Sequence, residues 1–147
     1  MCIRDSSKGA KPDQGLGIDN CGVIENEILP HRFHKKGALS AARLPDKINP
    51  NKQSSACQFY VTQGFTKTDA QLQQQEAAKG IQYTPFQKAW YKVRGGVPFL
   101  DNDYTVFGEV IDGIDLVDLI CAVPTSQVPA IKDRPLQDIK MTIRMLN

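Results

Sequence analysis

The β-forming residues of this chain lie in short stretches separated by turn-forming residues, and this pattern constrains the fold more than any other feature of the sequence. The segments GALSAA (37–42), QFYVT (58–62) and YTVFGEVI (104–111) each have the composition of a short strand, and a weaker β-like stretch covers 22–28. Prolines, asparagines and polar residues fill the 44–55 loop between the first two segments. Scattered short strands with a few helices favour an antiparallel barrel or sandwich.

The clearest strand pattern lies at the end of the chain, in the segment DIKMTIRML (138–146). Apolar and polar side chains alternate there, with Ile139, Met141, Ile143 and Met145 on one face and Lys140, Thr142 and Arg144 on the other. Because successive side chains of a strand point to opposite faces, this segment predicts a strand with one apolar face.

Residues 65–95 predict a helical hairpin between two strands. Thr68 with Gln71 three residues later is a capping-box pattern, and the good helix formers that follow stop at Gly80. A second helix is expected to start at Thr84, with proline at its first position. Its apolar face is expected to consist of Phe86, Ala89, Trp90 and Val93. A third, amphipathic helix is expected in IDLVDLICAV (114–123), after an Asp-Gly turn.

Size and charge exclude several classes of function. The 147 residues fit one domain, and 41% hydrophobic with 23% charged residues is typical of folded globular chains. The formal net charge is only +2, and no cluster of Lys and Arg exceeds a few residues, so we expect no nucleic-acid partner. No apolar run approaches the roughly 20 residues of a membrane helix, so no membrane span is expected.

The cysteines and histidines predict no metal or disulfide framework. Cys2, Cys21, Cys57 and Cys121 contain no C-x-x-C pair, and a chain of this size needs no disulfide. Cys57 and Cys121 lie in apolar stretches and are expected to be small buried groups. His31 and His34 have H-x-x-H spacing, but no third ligand stands nearby in the sequence.

The first residues of the chain predict loop rather than strand. Residues 1–21 are rich in Gly, Asp, Lys, Ser and Pro with no period, and the first ten lack the apolar stretch of a signal peptide. The compartment is therefore left open.

Several long segments, taken in order, resemble the cyclophilin family of peptidyl-prolyl cis-trans isomerases. They are FHKKGALSAAR (33–43), the Asn-Pro loop before Ser54, SSACQFYVTQG (54–64), FLDNDYTVFGEVIDGIDLVDLI (99–120) and DRPLQDIKM (133–141). The resemblance implies a mainly β fold, a flattened antiparallel β-barrel with short helices and a helical hairpin inserted at about 66–95, as in bacterial single-domain members. It covers 7–147, whereas residues 1–6 match nothing in the family and are interpreted as a non-native start.

The resemblance also implies the site. Gln58 would hydrogen-bond the substrate backbone, Tyr60 and Leu100 would wall the proline pocket, and Ala42 and Arg43 would line the groove for residues before the proline. Phe99 stands where many relatives carry Trp, and Tyr104 where many carry His. Without the resemblance, Phe99 and Leu100 would be interpreted as residues that cap the core.

The implied activity is acceleration of rotation about X-Pro peptide bonds, which assists protein folding and needs no cofactor. The expected partners are proline-containing peptides and unfolded protein clients, with the chain itself a monomer. The family's first strands, its first helix and its arginine at the proline nitrogen have no counterpart here, so no catalytic residue is assigned and the chain is interpreted as a truncated fragment. Two alternatives stay open: a non-catalytic module that binds proline peptides, and an inactive truncated remnant.

Overall fold

The computed structural model of the chain describes residues 2–4, 22–144 and 146. These residues form a mixed α/β structure with six short strands and three α-helices. The strands are β1 (Cys2–Arg4), β2 (Val23–Ile24), β3 (Ala38–Ala41), β4 (Ser54–Ser55), β5 (Phe59–Thr62) and β6 (Val106–Glu109). The helices are α1 (Asp69–Lys79), α2 (Pro85–Val93) and α3 (Ile114–Cys121).

Four of the strands build one antiparallel sheet in the order β1-β5-β3-β6, and β2 pairs with β4. In the centre of the sheet Tyr60 of β5 lies opposite Ser40 of β3, which lies opposite Val106 of β6. The strands expected in 37–42, 58–62 and 104–111 are thus confirmed. The expected barrel is not: the six described strands leave two separate sheets, because closure needs more strands than these to bring the sheet edges together.

Both hairpin helices begin as the sequence predicts. The side chains of Thr68 and Thr84 accept hydrogen bonds from the backbone N–H groups of Gln71 and Gln87, and both glutamine side chains return the contact. Gly80 ends α1 in the left-handed conformation. These reciprocal bonds satisfy backbone donors that the first turn of a helix leaves without partners.

The expected apolar face of α2 is wrong. Phe86 and Val93 are exposed, whereas Gln87 and Tyr91 are the buried residues of this helix. Both carry polar atoms that find partners inside: the Gln87 amide donates to the Pro30 carbonyl, and the Tyr91 hydroxyl donates to Asp101. Specific hydrogen bonds therefore decide which side of the helix faces inward.

The core beneath the hairpin joins both helices to the segment before β3. Phe33, Leu72, Tyr83 and Tyr91 form one buried cluster, against which Ile81 and Trp90 pack. The ring of Tyr91 meets those of Phe33 and Tyr83 edge to face, with centroids 5.3 and 5.6 Å apart. Such edge-to-face pairs fix the angle at which the rings meet.

A close backbone crossing anchors the hairpin to the sheet. Gly64, just after β5, has φ +66°, and a Cβ there would stand 2.3 Å from the carbonyl carbon of Gly96. Gly96 forms bridges with both Lys35 and Phe65. Only glycine fits such an approach, so the two ends of the hairpin segment are held together at this point.

The C-terminal segment is not a strand, contrary to its pattern. Residues 136–144 are exposed and have no regular structure. A strand needs a neighbour to bond its backbone, and no other described strand pairs with this segment. The alternation of side chains determines which face of a strand would be apolar, but it does not specify a neighbouring strand with which the backbone could pair.

Two further expectations are corrected. Cys2–Arg4 pairs with β5, so loop is wrong for these residues, while residues 1 and 5–21 lie outside the described part. Cys57 is exposed and disulfide-bonded rather than a buried thiol, and Cys121 is a half-buried free thiol. That residues 1–6 are a non-native start stays a prediction.

Candidate functional site

The end of β3 and the start of β5 lie side by side and present two of the expected site residues. The N–H of Ala42 donates to the Gln58 carbonyl at 2.9 Å, and the Ala42 carbonyl accepts from Ser55 at 2.8 Å. Ala42 and Gln58 are half-buried, so their side chains remain within reach of a ligand at this edge.

Tyr60 and Tyr104 form an aromatic pair one step further along β5. Their ring centroids are 5.9 Å apart and the rings meet edge to face. Tyr104 is half-buried, whereas Tyr60 is only 6% exposed. The buried face of β5 carries Tyr60 and Thr62, and the half-buried face carries Phe59 and Val61.

Arg43 is held rigidly beside this pair. Its guanidinium carbon lies 4.7 Å from the centre of the Tyr104 ring, Nε donates to the Asp103 carbonyl at 2.5 Å, and Nη1 contacts Asp46 at 2.5 Å. The side chain is only 5% exposed. A planar guanidinium suits this double task, because its face stacks on a ring while its edge donates.

Phe99 and Leu100 lie in a single turn of 3-10 helix, Pro98–Leu100, that leads toward Tyr104. Leu100 is half-buried and Phe99 is 60% exposed. The carbonyl of Leu100 accepts from Asp103 at 3.2 Å, which closes the loop between the two expected pocket residues. The Asp103–Leu100 bond therefore forms a turn between Leu100 and Tyr104, and the Phe99 ring is exposed to solvent.

His34 lies beneath both tyrosines and was not among the residues assigned from the sequence. It is fully buried, stacks on Tyr60 with the ring planes 14° apart, and meets Tyr104 edge to face. Its Nε2 is 3.0 Å from the Tyr60 hydroxyl. Of the two histidines with H-x-x-H spacing, His34 is thus a buried, hydrogen-bonded side chain. The described residues contain no group of three or more His, Cys, Asp and Glu side chains that could hold a metal ion.

Asp101 is the acidic partner of His34. One carboxylate oxygen accepts from the backbone N–H and from Nδ1 of His34, at 2.7 and 2.9 Å, and the other accepts from the Tyr91 hydroxyl at 2.6 Å. Burial, together with the charge of Asp101, raises the pKa of Tyr91 above its ordinary value, so this hydroxyl keeps its proton and donates. Asp101 could not be assigned from the sequence, because its only local signal is that it follows Leu100.

Asp103, two residues further on, ties the loop to two lysines. Its carboxylate pairs with Lys52 and with Lys79 of α1, and Lys79 also donates to the Asp101 carbonyl at 2.6 Å. Burial raises the pKa of Asp103, but the hydrogen bonds and charges of Lys52 and Lys79 outweigh it and hold that pKa below its ordinary value. Two lysines from different parts of the chain therefore hold the loop that carries Tyr104.

Taken together, the structure joins Arg43, Tyr60 and Tyr104 into one cluster beside Ala42 and Gln58, and places Leu100 and Phe99 on the adjoining loop. None of the helices in the described part of the chain has the length and apolar character that crossing a membrane requires.

The chain belongs to the cyclophilin family: the family model described as cyclophilin type peptidyl-prolyl cis-trans isomerase/CLD matches residues 4–144. A protein of Staphylococcus saprophyticus with the provisional name peptidyl-prolyl cis-trans isomerase is 33% identical over 116 residues, which are 79% of this chain and 52% of that protein. A Staphylococcus aureus protein with the same provisional name is 31% identical over 127 residues, or 85% of this chain and 58% of that protein.

A longer relative carries the same kind of domain beside another activity. The Streptococcus pyogenes protein provisionally named bifunctional phosphatase/peptidyl-prolyl cis-trans isomerase is 32% identical over 118 residues, 79% of this chain and 22% of that protein. The chain thus spans little more than half the length of the two staphylococcal relatives.

Proposed function

We propose that this chain carries the peptide-binding surface of a peptidyl-prolyl cis-trans isomerase, which binds X-Pro segments of unfolded protein clients and acts as a monomer. The observation that carries the proposal is the cluster of Arg43, Tyr60 and Tyr104 beside the half-buried edge of Ala42 and Gln58. Membership of the cyclophilin family supports the reaction class. The flattened antiparallel β-barrel implied by the resemblance, without the family's first strands and first helix, belongs to the same proposal.

The chemistry requires binding groups rather than a nucleophile or a metal. Amide resonance gives an X-Pro bond a rotation barrier of about 18–20 kcal/mol, while its two isomers differ by only about 0.5–1 kcal/mol. An enzyme therefore accelerates the exchange by binding the twisted bond more tightly than either planar form. An apolar slot for the proline ring and donors for the preceding backbone suffice for this task.

Each residue has a place in that scheme. Tyr60 and Leu100 wall the slot for the proline ring, with Tyr104 and Phe99 at its rim. Gln58 offers its amide to the substrate backbone, and Ala42 and Arg43 line the path of the residues before the proline. The fixed position of Arg43 supports this assignment, because a side chain that is already ordered loses little entropy when a peptide binds.

The second candidate function is a module that binds proline peptides without accelerating their isomerisation. The observation that favours it is the composition of the described cluster, which combines aromatic rings with backbone-binding groups around Arg43, whose Nε and Nη1 donate to Asp103, Asp46 and Leu44. An arginine held in this way supports the groove.

Two measurements on the full chain separate these functions. Titration with an Ala-Pro peptide measures binding, and exchange spectroscopy on the same peptide measures the cis-trans rate. Binding with a faster exchange supports the isomerase, binding with unchanged exchange supports the module, and no binding refutes both. Gln58→Ala is expected to weaken binding, whereas Gln73→Ala on the exposed surface of α1 serves as the matched control and is expected to leave it unchanged.

A further inference from the structure

A continuous chain of buried hydrogen bonds leads from helix α2 to the pocket wall. It starts at the Tyr91 hydroxyl, which donates to Asp101, continues through Asp101 to Nδ1 of His34, and ends between Nε2 of His34 and the Tyr60 hydroxyl. The four residues are at most 6% exposed. Water therefore does not compete for these bonds, and each residue depends on the next for its partner.

The direction of the bonds follows from the chemistry of the groups. A carboxylate offers only acceptors, so the proton between Asp101 and His34 lies on Nδ1. In the neutral imidazole Nε2 is then an acceptor, and the Tyr60 hydroxyl donates to it. The backbone N–H of His34 also donates to the same Asp101 oxygen, which fixes the histidine at two points.

We propose that His34 is a positioning residue of the proline-peptide site, held by Asp101 and Tyr91, and that it sets the orientation of the Tyr60 ring. This inference rests on the proposed function of Tyr60 as a pocket wall. His34 lies below Tyr60 and is fully buried, so it acts on the peptide only through the rings that it contacts. Its edge-to-face contact with Tyr104 extends the same control to the second ring of the cluster.

The mechanism is pre-organisation. A slot for a proline ring binds well when its walls already stand at the required angle, because no free energy is then spent on ordering them. The bond to His34 holds the hydroxyl end of Tyr60, and the pairing of β5 with β3 holds its backbone. The hydroxyl of Tyr91, which belongs to the helical hairpin and not to the groove, thereby affects the pocket.

Tyr91→Phe is the sharpest variant for testing this inference. It removes one hydroxyl from the chain of bonds and keeps the ring that packs against Phe33 and Tyr83. Asp101→Asn is a second variant that replaces the carboxylate by a group of the same shape. Leu72→Val is the matched control, because Leu72 lies in the same buried cluster but has no polar atom to contribute to the bonds.

The experiment uses the full chain with carbon-13 in its tyrosine rings, in dilute solution, titrated with an Ala-Pro peptide. The Tyr60 signals are identified with Tyr60→Phe. In Tyr91→Phe and Asp101→Asn we expect the Tyr60 ring signals to move and the Kd for the peptide to rise about three- to tenfold. Leu72→Val is expected to lower the melting temperature while the Tyr60 signals and the Kd stay as in the unmodified chain.

The possible failures are distinguishable. Unmoved Tyr60 signals with an unchanged Kd in Tyr91→Phe would overturn the positioning role while leaving the proposed function intact. If the unmodified chain bound no peptide, the proposed function would fail, and the ring signals alone would then decide whether His34 positions Tyr60. Equal changes in Leu72→Val would reduce the effect to general loss of stability and would also overturn the inference.

Discussion

The guanidinium of Arg43 stacks on the ring of Tyr104 at 4.7 Å while its Nε donates to the carbonyl of Asp103, the residue just before that ring. A single side chain from the end of β3 thus fixes both the backbone and the ring of the loop that precedes β6. The two segments are 60 residues apart in the chain, so this contact joins distant parts of the sequence at the proposed site.

Arg43→Lys is expected to weaken peptide binding although it preserves the charge. A lysine ammonium group cannot stack on the Tyr104 ring and donate to the Asp103 carbonyl at the same time, so the loop loses one of these two contacts. The loss of a cation–π contact of about 0.5–2 kcal/mol would raise the Kd about two- to thirtyfold. Arg134→Lys, in an exposed ion pair with Asp138, is the control and is expected to leave the Kd unchanged in the same titration.

Gly64→Ala is expected to abolish folding, and Gly80→Ala to cost only about 1 kcal/mol of unfolding free energy. Both glycines have positive φ, +66° and +63°, so backbone strain is the same for each. They differ in space: a Cβ at Gly64 would stand 2.3 Å from Gly96, whereas nothing lies within 4 Å at Gly80. Denaturant unfolding of the two variants measures the difference, and equal losses would contradict the close crossing.

Removing either helix cap is expected to destabilise the hairpin. Thr68→Ala and Thr84→Ala each delete an acceptor for a backbone N–H of the first turn, at a cost of about 0.5–2 kcal/mol. Thr66→Ala, an exposed threonine before α1, is the matched substitution outside a cap and should cost less. Urea unfolding followed by circular dichroism gives the free energies, and the prediction is wrong if all three variants unfold alike.

Stability is expected to fall in acid partly through Asp103. The hydrogen bonds and charges of Lys52 and Lys79 hold the pKa of this carboxyl below its ordinary value of 3.8 despite its burial. A lowered folded-state pKa contributes stability above the ordinary value, and that contribution is lost as the pH falls through the folded-state pKa.

The variant Asp103→Asn isolates this contribution. We expect it to show a shallower loss of unfolding free energy than the unmodified chain between about pH 5 and pH 2. Asp138→Asn, in which an exposed carboxyl is removed, should retain the slope of the unmodified chain. Urea titrations at a series of pH values test this, and identical slopes for Asp103→Asn and the unmodified chain would count against the paired lysines.

At high concentration the exposed C-terminal segment is expected to promote self-association, in contrast to the dilute conditions under which the chain is proposed to act as a monomer. Ile139, Met141 and Ile143 are 43, 53 and 61% exposed, and their apolar alternation suits pairing with another strand. Ile143→Lys should therefore reduce association measured by sedimentation. Thr142→Lys adds the same charge one residue earlier, on the opposite side of the alternation, and should reduce it less. Monomeric behaviour of the unmodified chain at high concentration would refute this prediction.

The parts of the fold that depend on local chemistry could be predicted from the sequence. The two caps at Thr68 and Thr84 and the stop at Gly80 involve neighbours within a few residues, and each is confirmed. The strand predicted for 138–146 is wrong for residues 138–144, because a strand also needs a partner elsewhere in the chain, which a local pattern does not specify.

The site shows the same division between local and distant information. The resemblance identifies Tyr60, Tyr104 and Arg43, which the structure brings together, but neither pattern nor resemblance indicated the bond between His34 and Asp101. These two residues are 67 positions apart, and a buried polar pair leaves no periodic signal. The buried side of α2 could not be predicted for the same reason: Tyr91 faces inward partly because its hydroxyl donates to the distant Asp101.

Lys79, near the end of α1, donates to the carbonyl of Asp101 and pairs with the carboxylate of Asp103. The helical hairpin is therefore fastened to the loop that carries Leu100 and Tyr104. Under the proposed function, substitutions within the hairpin can consequently change the peptide preference of the groove across related proteins while every residue proposed to touch the peptide stays the same. Two members of the family with identical groove residues need not share their clients.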